Sequence, residues 1–404
     1  MSFNFVPFGS LYAEPVRNGL TRPTSVRGDG YRMVNMGELF AFDRIGEQEM
    51  ERVQLNEREL QVATLEEGDL LFARSSLKVE GTGKCSFVQS LPEVTTFESH
   101  LIRARLDHTK ADPRFYYYFF KSYLGRATVL SIAKQVGAAG LPGSKLAGLS
   151  VPQPVPTVQS RIADILSTYD DMIENNRRRM ALLEGSVQQL YSEWFIRLSF
   201  PGHEHTRITD GVPEGWERAP VPDAIAINPQ TKLSNDDEHW WVKMADLDTN
   251  SMVIQNAIKK NGRNGSKFKN GDTLFARITP CLENGKTAFV NFMMENEVGR
   301  GSTEFIVLRS IKLTPEFVYC LARTYDFREN AIKSMIGASG RQRVQESCFD
   351  KYLLLVPPRS ILVLFNEFVQ PAFEQIKNLH AQNEKLRTAL DLLLPKLVSG
   401  EIIV

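Results

Sequence analysis

The sequence predicts a mixed α/β (α+β) protein in which two pseudo-symmetric globular domains are separated by two long helices that form an antiparallel coiled coil. Three observations predict this: an internal repeat with a period of about 200 residues, a heptad-spaced segment after each copy, and strand-like runs that alternate with turns inside each copy. The predicted boundaries are 1–155 for the first domain, 156–197 for the first helix, 198–357 for a linker with the second domain, and 358–404 for the second helix.

The internal repeat is clearest in two stretches of about twenty residues. "GDLLFARSSLKVEGTGKCSFV" begins at Gly68 and "GDTLFARITPCLENGKTAFV" begins at Gly271. Both contain Gly-Asp, "LFAR", Gly-Lys and a closing Phe-Val. Further matches follow in the same order, including "YRMVNMGEL" with "WWVKMADL" and "FYYYFFKSY" with "FVYCLARTY". We infer a duplicated globular domain of about 150 residues.

Within each copy, short apolar runs alternate with turn residues and with helical stretches. "LLFAR", "CSFV", "TAFV" and "EFIVLRS" are typical of strands, and "DPRFYYYFFKSYLGRATVL" is typical of helix. This alternation predicts a mixed α/β domain rather than an all-helical one.

The two long segments carry apolar residues spaced alternately by three and four, which is typical of a coiled-coil seam. The predicted stripes are, in the first helix, Ile162, Leu166, Tyr169, Ile173, Asn176, Met180, Leu183, Val187, Leu190 and Trp194, and in the second, Leu362, Phe365, Val369, Ala372, Ile376, Leu379, Asn383, Leu386, Leu390, Leu393 and Leu397. The alternative is a pair of amphipathic helices, each lying on its own domain. Antiparallel pairing places Asn176 close to Asn383, and a buried amide pair of this kind penalises slipped registers.

Composition bounds the class of protein. The chain has 404 residues, 48 basic and 48 acidic, so any nucleic-acid binding must come from local patches or from partner subunits. The N-terminus lacks the zones of a signal peptide, and no apolar run reaches the length of a membrane span, so we expect a soluble, cytoplasmic protein without membrane contact. The cysteines are scattered, which predicts neither disulfides nor a structural metal.

Catalytic and cofactor motifs are not found in the sequence. Gly83-Lys84 and Gly285-Lys286 resemble part of a phosphate-binding loop, but Lys78 and Pro280 occupy the positions where its first glycine belongs. Neither a dinucleotide fingerprint nor a catalytic triad spacing is present. We therefore expect no catalytic, cofactor-binding or metal residues in this chain.

Basic residues in glycine-rich segments are the candidate DNA contacts. "KKNGRNGSKFK" contains five basic residues and no acidic one; phosphate contact and a merely solvated loop fit it about equally. The arginines of "GASGRQRV" could pair with guanine. Residues shared by the copies are explained equally by duplication alone, so divergent loops are the better source of specificity. The candidates are Arg74, Lys78, Lys84, Ser144, Lys145, Lys259, Lys260, Arg263, Lys267, Lys269, Arg277, Lys286, Arg341 and Arg343.

Several motifs resemble those of type I restriction-modification specificity subunits. "LPGSKLAGLSVPQPVPTVQSRIADILSTYDDMIENN" is similar to the end of a target-recognition domain that runs into the family's central helix. Gln159, Ile162 and Ala163 match the pattern there, whereas Val155 replaces its usual second proline. "YSEWFIRLSFPGHE" with "GVPEGWERAPV" resembles the junction into a second recognition domain, and "LLPKLVSGEIIV" resembles the family's C-terminus. The family's introductory P-x-G-W motif does not precede the first domain.

The resemblance implies a subunit without activity of its own. It would bind double-stranded DNA at a bipartite asymmetric site, together with two modification (methyltransferase) subunits and two restriction (translocase/nuclease) subunits. S-adenosylmethionine, ATP and Mg would belong to those partners, and the helices would dock the modification subunits. Two alternatives remain open from the residues: a duplicated α/β scaffold that binds protein or glycan, and a nuclease with an unrecognised site.

Overall fold

The computed structural model of this chain describes residues 3–76, 79–136, 140–233, 237–338 and 340–404. The chain divides into two compact units, unit 1 (Met1–Ile173 with Lys385–Val404) and unit 2 (Glu174–Glu384). The helices are α1 (Met36–Ala41), α2 (Glu57–Val62), α3 (Pro113–Lys121), α4 (Tyr123–Val136), α5 (Gly143–Ala147), α6 (Pro156–Tyr191), α7 (Val221–Ala224), α8 (Pro315–Arg323), α9 (Tyr325–Lys333) and α10 (Arg359–Ser399). The predicted mixed α/β class with two long helices is confirmed.

Unit 1 is built on a five-stranded sheet in the order β2-β9-β6-β7-β4, a three-stranded sheet in the order β5-β3-β8, and the pair β1-β10. Its strands are β1 (Phe5–Pro7), β2 (Arg17–Asn18), β3 (Arg27–Val34), β4 (Arg44–Ile45), β5 (Glu51–Val53), β6 (Leu70–Ala73), β7 (Cys85–Val88), β8 (Thr95–Phe97), β9 (Leu101–Ala104) and β10 (Ser150–Pro152). All four residues of β6 are buried. The ring of Phe72 on this strand lies 5.0 Å from that of Phe120 on α3, which joins the sheet to the helix layer.

Unit 2 repeats this plan with a four-stranded sheet in the order β14-β21-β18-β19 and a second one in the order β16-β15-β20-β17. Its strands are β11 (Ile208–Thr209), β12 (Val212–Pro213), β13 (Glu217–Pro220), β14 (Ile225–Ile227), β15 (His239–Val242), β16 (Ile258–Lys260), β17 (Ser266–Lys269), β18 (Thr273–Ala276), β19 (Thr287–Phe289), β20 (Val298–Gly301), β21 (Phe305–Ser310) and β22 (Leu353–Val356). In both units the "LFA" strand pairs antiparallel with a strand on either side. The two copies therefore share a backbone frame.

The copies differ most in the interval before the Gly-Asp turn. In unit 1 it contains α2, whose N-cap residue is Asn56, and the Asn56 and Glu59 side chains form a reciprocal capping box. In unit 2 it contains the extra strand β17, which follows Gly265. Gly265 has φ +112°, and a Cβ there would lie 2.2 Å from the carbonyl oxygen of Gly301, so this approach of two strands requires glycine.

The two long helices pair antiparallel within each unit. In unit 1, Ile162 and Leu166 of α6 share a core with Leu390 and Leu397 of α10. In unit 2, later residues of α6 share a core with earlier residues of α10, including Met180, Val187 and Trp194 with Phe365, Val369 and Ile376. Because these clusters also contain core residues of the globular copies, the helices pack on their domains as well as on each other.

The predicted stripe on α6 is correct as far as Met180 and shifts beyond it. Leu183 and Leu190 are only half-buried, whereas Glu184 and Tyr191 are buried. The buried residues Ile173, Asn176, Met180 and Glu184 are spaced by three, four and four residues. This spacing places eleven residues on three turns, which is close to the period of a straight α-helix. On α10 the same correction places Phe373 and Leu394 in the core, in place of Ala372 and Leu393.

Two asparagines face each other in the helix pair of unit 2. The Nδ2 of Asn176 donates to the Oδ1 of Asn383 over 3.0 Å, and both residues are buried. The predicted contact is thus present. Its role in fixing the register stays a prediction.

Glu184 is a buried carboxylate on the same helix. Its Oε2 accepts a hydrogen bond of 2.9 Å from the backbone N–H of Met252, and the Tyr319 hydroxyl donates to its Oε1. Burial raises the pKa of Glu184 above its ordinary value, although both hydrogen bonds act to lower it. The carboxylate thus ties α6 to α8 and to the loop before residue 252.

Replacing both Asn176 and Asn383 with Leu should raise the melting temperature by about 2–4 °C, because a hydrogen-bonded polar pair becomes apolar packing of similar volume. Asn176→Leu alone should lower it, because the Asn383 amide loses this bond in a buried site. Differential scanning calorimetry would test both, and a fall in the double variant would contradict the prediction.

Glu184→Gln should reduce the loss of stability with rising pH. A carboxyl whose folded-state pKa is raised contributes stability below its unfolded pKa, and that contribution is lost as the pH rises through the folded pKa. Urea unfolding at several pH values should therefore show a flatter profile for Glu184→Gln than for wild type. Glu367→Gln, at an exposed position of α10, is the control; parallel profiles for all three proteins would refute the role of Glu184.

Candidate nucleic-acid interface

A buried aspartate, bound by a half-buried arginine, holds the repeated Gly-Asp turn in each unit. In unit 1, Arg105 donates to both carboxylate oxygens of Asp69 over 2.8 Å, and in unit 2, Arg309 donates to both oxygens of Asp272 over 2.7 Å. Each aspartate also accepts from the backbone N–H three residues before it, at 2.8 Å. Sequence reasoning missed both arginines. Their nearly equal spacing from the aspartates, 36 and 37 residues, was the available signal.

The lysines that the copies share make intramolecular contacts. The Nζ of Lys84 donates to the carbonyl oxygen of Phe40 over 2.8 Å and lies 3.4 Å from Asp43. The Nζ of Lys286 donates to the carbonyl oxygen of Met244 over 2.9 Å. The two lysines thus tie the Gly-Lys loop to the segment that follows β3 in unit 1 and β15 in unit 2. Their contact with DNA stays a prediction.

The arginines Arg277 and Arg343 are also engaged within unit 2. Arg277 lies 3.2 Å from Glu346 and donates to the carbonyl oxygen of Val344. Arg343 binds the Glu304 carboxylate through Nε and a terminal nitrogen, and these hydrogen bonds lower the pKa of Glu304. A base contact by Arg343 would therefore have to displace Glu304.

The other predicted contacts outside the basic segment are more accessible. Arg341 is exposed, as are Ser144 and Lys145 on α5. Arg74 is half-buried and forms no ion pair with another described residue. Lys78 lies outside the described residues.

The basic segment of unit 2 occupies β16, β17 and the turn between them. Lys259 lies 5.2 Å from the centre of the Trp240 ring and 3.2 Å from Glu297, so its charge is partly neutralised. Lys260 lies 4.0 Å from the centre of the Trp241 ring. Among the described residues no carboxylate forms an ion pair with Lys260, Arg263, Lys267 or Lys269. The two tryptophans were aligned as repeat residues in the sequence, but their contact with lysine was not predicted.

A cleft of about 710 Å³ lies between residues 228–233 and the start of β17. Its lining includes Gln230, Lys232, Gly265 and Lys267, and no carboxylate from the described part of the chain. Asn228 fixes one end, because its Oδ1 accepts from the backbone N–H of Val307 over 2.9 Å. Lys232 was missed by sequence reasoning because it stands alone, outside any basic run.

Residues suited to catalysis or metal binding are sparse. In the described ranges, no group of three or more His, Cys, Asp and Glu side chains is arranged to hold a metal ion. Cys85 and Cys320 are buried, and burial raises the pKa of both thiols. Of the helices described, none is long and apolar enough to span a bilayer.

Comparisons with known proteins agree on one family. Residues 47–184 match the family model of the type I restriction modification DNA specificity domain. The chain is similar to the type I restriction enzyme MjaIX specificity subunit of Methanocaldococcus jannaschii, with 26% identity over 305 residues that cover 71% of this chain and 68% of the relative. It is also similar to the EcoEI specificity subunit of Escherichia coli, with 30% identity over 156 residues, which cover 37% of this chain and 26% of that relative.

A solved structure shares the fold over nearly the whole chain. The crystal structure of the type I restriction-modification system S subunit from M. genitalium aligns with a TM-score of 0.57 and 13% identity, covering 98% of this chain and 96% of that one. The resemblance inferred from the helix and junction motifs is confirmed.

Asp272→Ala should destabilise unit 2 by about 3–5 kcal/mol, because it leaves the Arg309 guanidinium without its buried carboxylate. The loss should be much smaller when Arg309 is replaced as well, and this double-mutant cycle measured by urea unfolding would give the coupling energy. Asp223→Ala, at an exposed position of the same unit, is the control. Additive effects of the Asp272 and Arg309 replacements would show that the pair does not hold the turn.

Proposed function

We propose that this chain is a type I restriction-modification specificity subunit, and that each of its two duplicated domains reads one half of a bipartite, asymmetric DNA site. One observation carries this proposal. The copies keep the same frame, with the Gly-Asp turn, its buried aspartate and the arginine that binds it, but carry α2 in one copy and β17 in the other at the same point of the frame. Two domains with the same backbone frame but different surface elements are suited to bind two half-sites of different sequence.

The long helices are the proposed docking platform for two modification subunits. Large apolar side chains are exposed on both helices: Met172 and Leu182 on α6, Phe368 and Leu392 on α10. Leu182 is 72% exposed and Leu392 is 63% exposed. Exposed apolar residues on charged helices suit a protein partner better than DNA, since aliphatic and aromatic side chains gain free energy when another protein covers them.

Catalysis is proposed to reside in the partners. The modification subunits would bind S-adenosylmethionine and methylate adenine at N6, and two restriction subunits would use ATP and Mg. The chain described here would contribute recognition and assembly. The proposal therefore assigns no catalytic, cofactor or metal residue to it.

The test is a map of N6-methyladenine across the host genome by single-molecule sequencing, with and without this gene. We expect a bipartite motif with a spacer of fixed length that disappears on deletion and returns when the gene is restored. A variant that lacks the exposed apolar residues, Leu182→Gln with Leu392→Gln, should also lose the motif if docking requires the helices.

The control is Leu362→Met, a change inside the core that keeps the apolar volume. An unchanged methylome after deletion, in a host whose modification subunits are active, would refute the proposed function.

A further inference from the structure

The cleft between residues 228–233 and β17 is lined by two lysines and by no carboxylate of a described residue, although Lys232 also lines a neighbouring depression that contains Glu238 and Glu297. Lys232 is exposed and Lys267 is half-buried, and neither forms an ion pair with a described residue. Lys269 and Arg263, also unpaired, are exposed beside the same strand. Four cations that form no ion pair with a described residue repel one another, so this surface favours a polyanion.

The cleft is preorganised by the buried pair of unit 2. The Arg309 guanidinium that binds Asp272 also donates to the Oγ1 of Thr231, over 3.2 Å. Asn228 is held to strand β21 through both its side chain and its backbone. The wall that contains Lys232 is thus attached to the domain core, which reduces the entropy lost when a ligand binds.

The equivalent surface of unit 1 carries its own counter-ions. Arg52 of β5 is bound by Glu93 through both terminal nitrogens, at 2.5 and 3.0 Å. Arg22 lies 2.6 Å from Glu59 of α2. The guanidinium groups of this surface are therefore largely neutralised within the unit.

The contrast is sharpest at one position beside the Gly-Asp turn. The residue whose backbone N–H binds the aspartate is Glu66 in unit 1 and Lys269 in unit 2, with the same distance of 2.8 Å. The frame is unchanged and the charge is reversed. Because the backbone N–H and not the side chain makes this hydrogen bond, the side chain at this position can carry either charge without disturbing the turn.

We propose that the cleft of unit 2 binds the phosphate backbone of duplex DNA, and that the corresponding surface of unit 1 does not, so that the two half-sites are held with unequal electrostatic strength. This inference rests on the proposed function. Duplex DNA is favoured over an acidic protein because a cleft lined by two lysines and the Gln230 amide matches a repeating phosphodiester, which needs point charges and hydrogen-bond donors.

The experiment measures the salt dependence of binding to a duplex of mixed sequence. The full chain is used, together with whatever subunits co-purify with it, and the same set is used for every variant. Lys232→Gln with Lys267→Gln should reduce the slope of log Kobs against log salt by about 1.8, which corresponds to two phosphate contacts. The matched change in unit 1, Arg22→Gln with Arg52→Gln, removes the same charge and should reduce the slope by less than half as much, because Glu59 and Glu93 already neutralise these arginines.

Two further variants keep the test decisive. Lys232→Arg with Lys267→Arg preserves the charge and should preserve the wild-type slope, which separates loss of charge from loss of folding. If the glutamine pair does not fold, the exposed Lys232→Gln alone should reduce the slope by about 0.9.

The outcomes distinguish the inference from the function on which it rests. A steep wild-type slope that the cleft variants leave unchanged would overturn the inference and leave the proposed function intact. Equal reductions by the two matched pairs would overturn the unequal division. A wild-type protein without salt-dependent DNA binding would refute the proposed function itself.

Discussion

The buried Asp–Arg pair is the interaction on which each globular copy depends. It lies where the Gly-Asp turn enters the central strand, so it fixes both the turn and the neighbouring strand that carries the arginine. A buried ion pair is costly to desolvate, and here the cost is offset by bidentate geometry and by a further backbone hydrogen bond to each aspartate. The same pair in both copies gives two domains with a common frame.

Each of these arginines makes a further hydrogen bond to a surface segment, and that segment differs between the two copies. In unit 1, Arg105 also donates to the carbonyl oxygen of Thr64 and to Glu66, and thereby holds the segment that follows α2. In unit 2, Arg309 holds Thr231 and with it the wall of the cleft. One guanidinium thus supports a different surface element in each copy. Duplication could therefore be followed by divergence of the recognition surface without loss of the core that supports it.

Local and periodic features were predictable from the sequence, whereas long-range partners were not. The repeat, the "LFA" strands, the helix pair and the Asn176–Asn383 contact follow from ordered matches and apolar spacing. The sequence did not predict that the buried position on α6 moves from Leu183 to Glu184. A carboxylate is tolerated there only because Tyr319 and the backbone N–H of Met252, from distant parts of the chain, donate hydrogen bonds to it. The same reason applies to the interface: whether a basic residue is available depends on carboxylates that no local pattern reveals.

The neutral net charge acquires a physical meaning from these pairings. With 48 residues of each sign, a uniform distribution would leave neither copy with a field that attracts DNA. Instead, the carboxylates of the described residues are placed unevenly: they pair with Arg22 and Arg52 in unit 1 and form no ion pair with Lys232 or Lys267 in the unit 2 cleft. A neutral chain can in this way concentrate its positive potential in one place. If the partner subunits supply further phosphate contacts, phosphate binding by the unit 2 cleft is enough to position the chain on DNA. Unit 1 could then contribute mainly contacts with the bases rather than with the backbone.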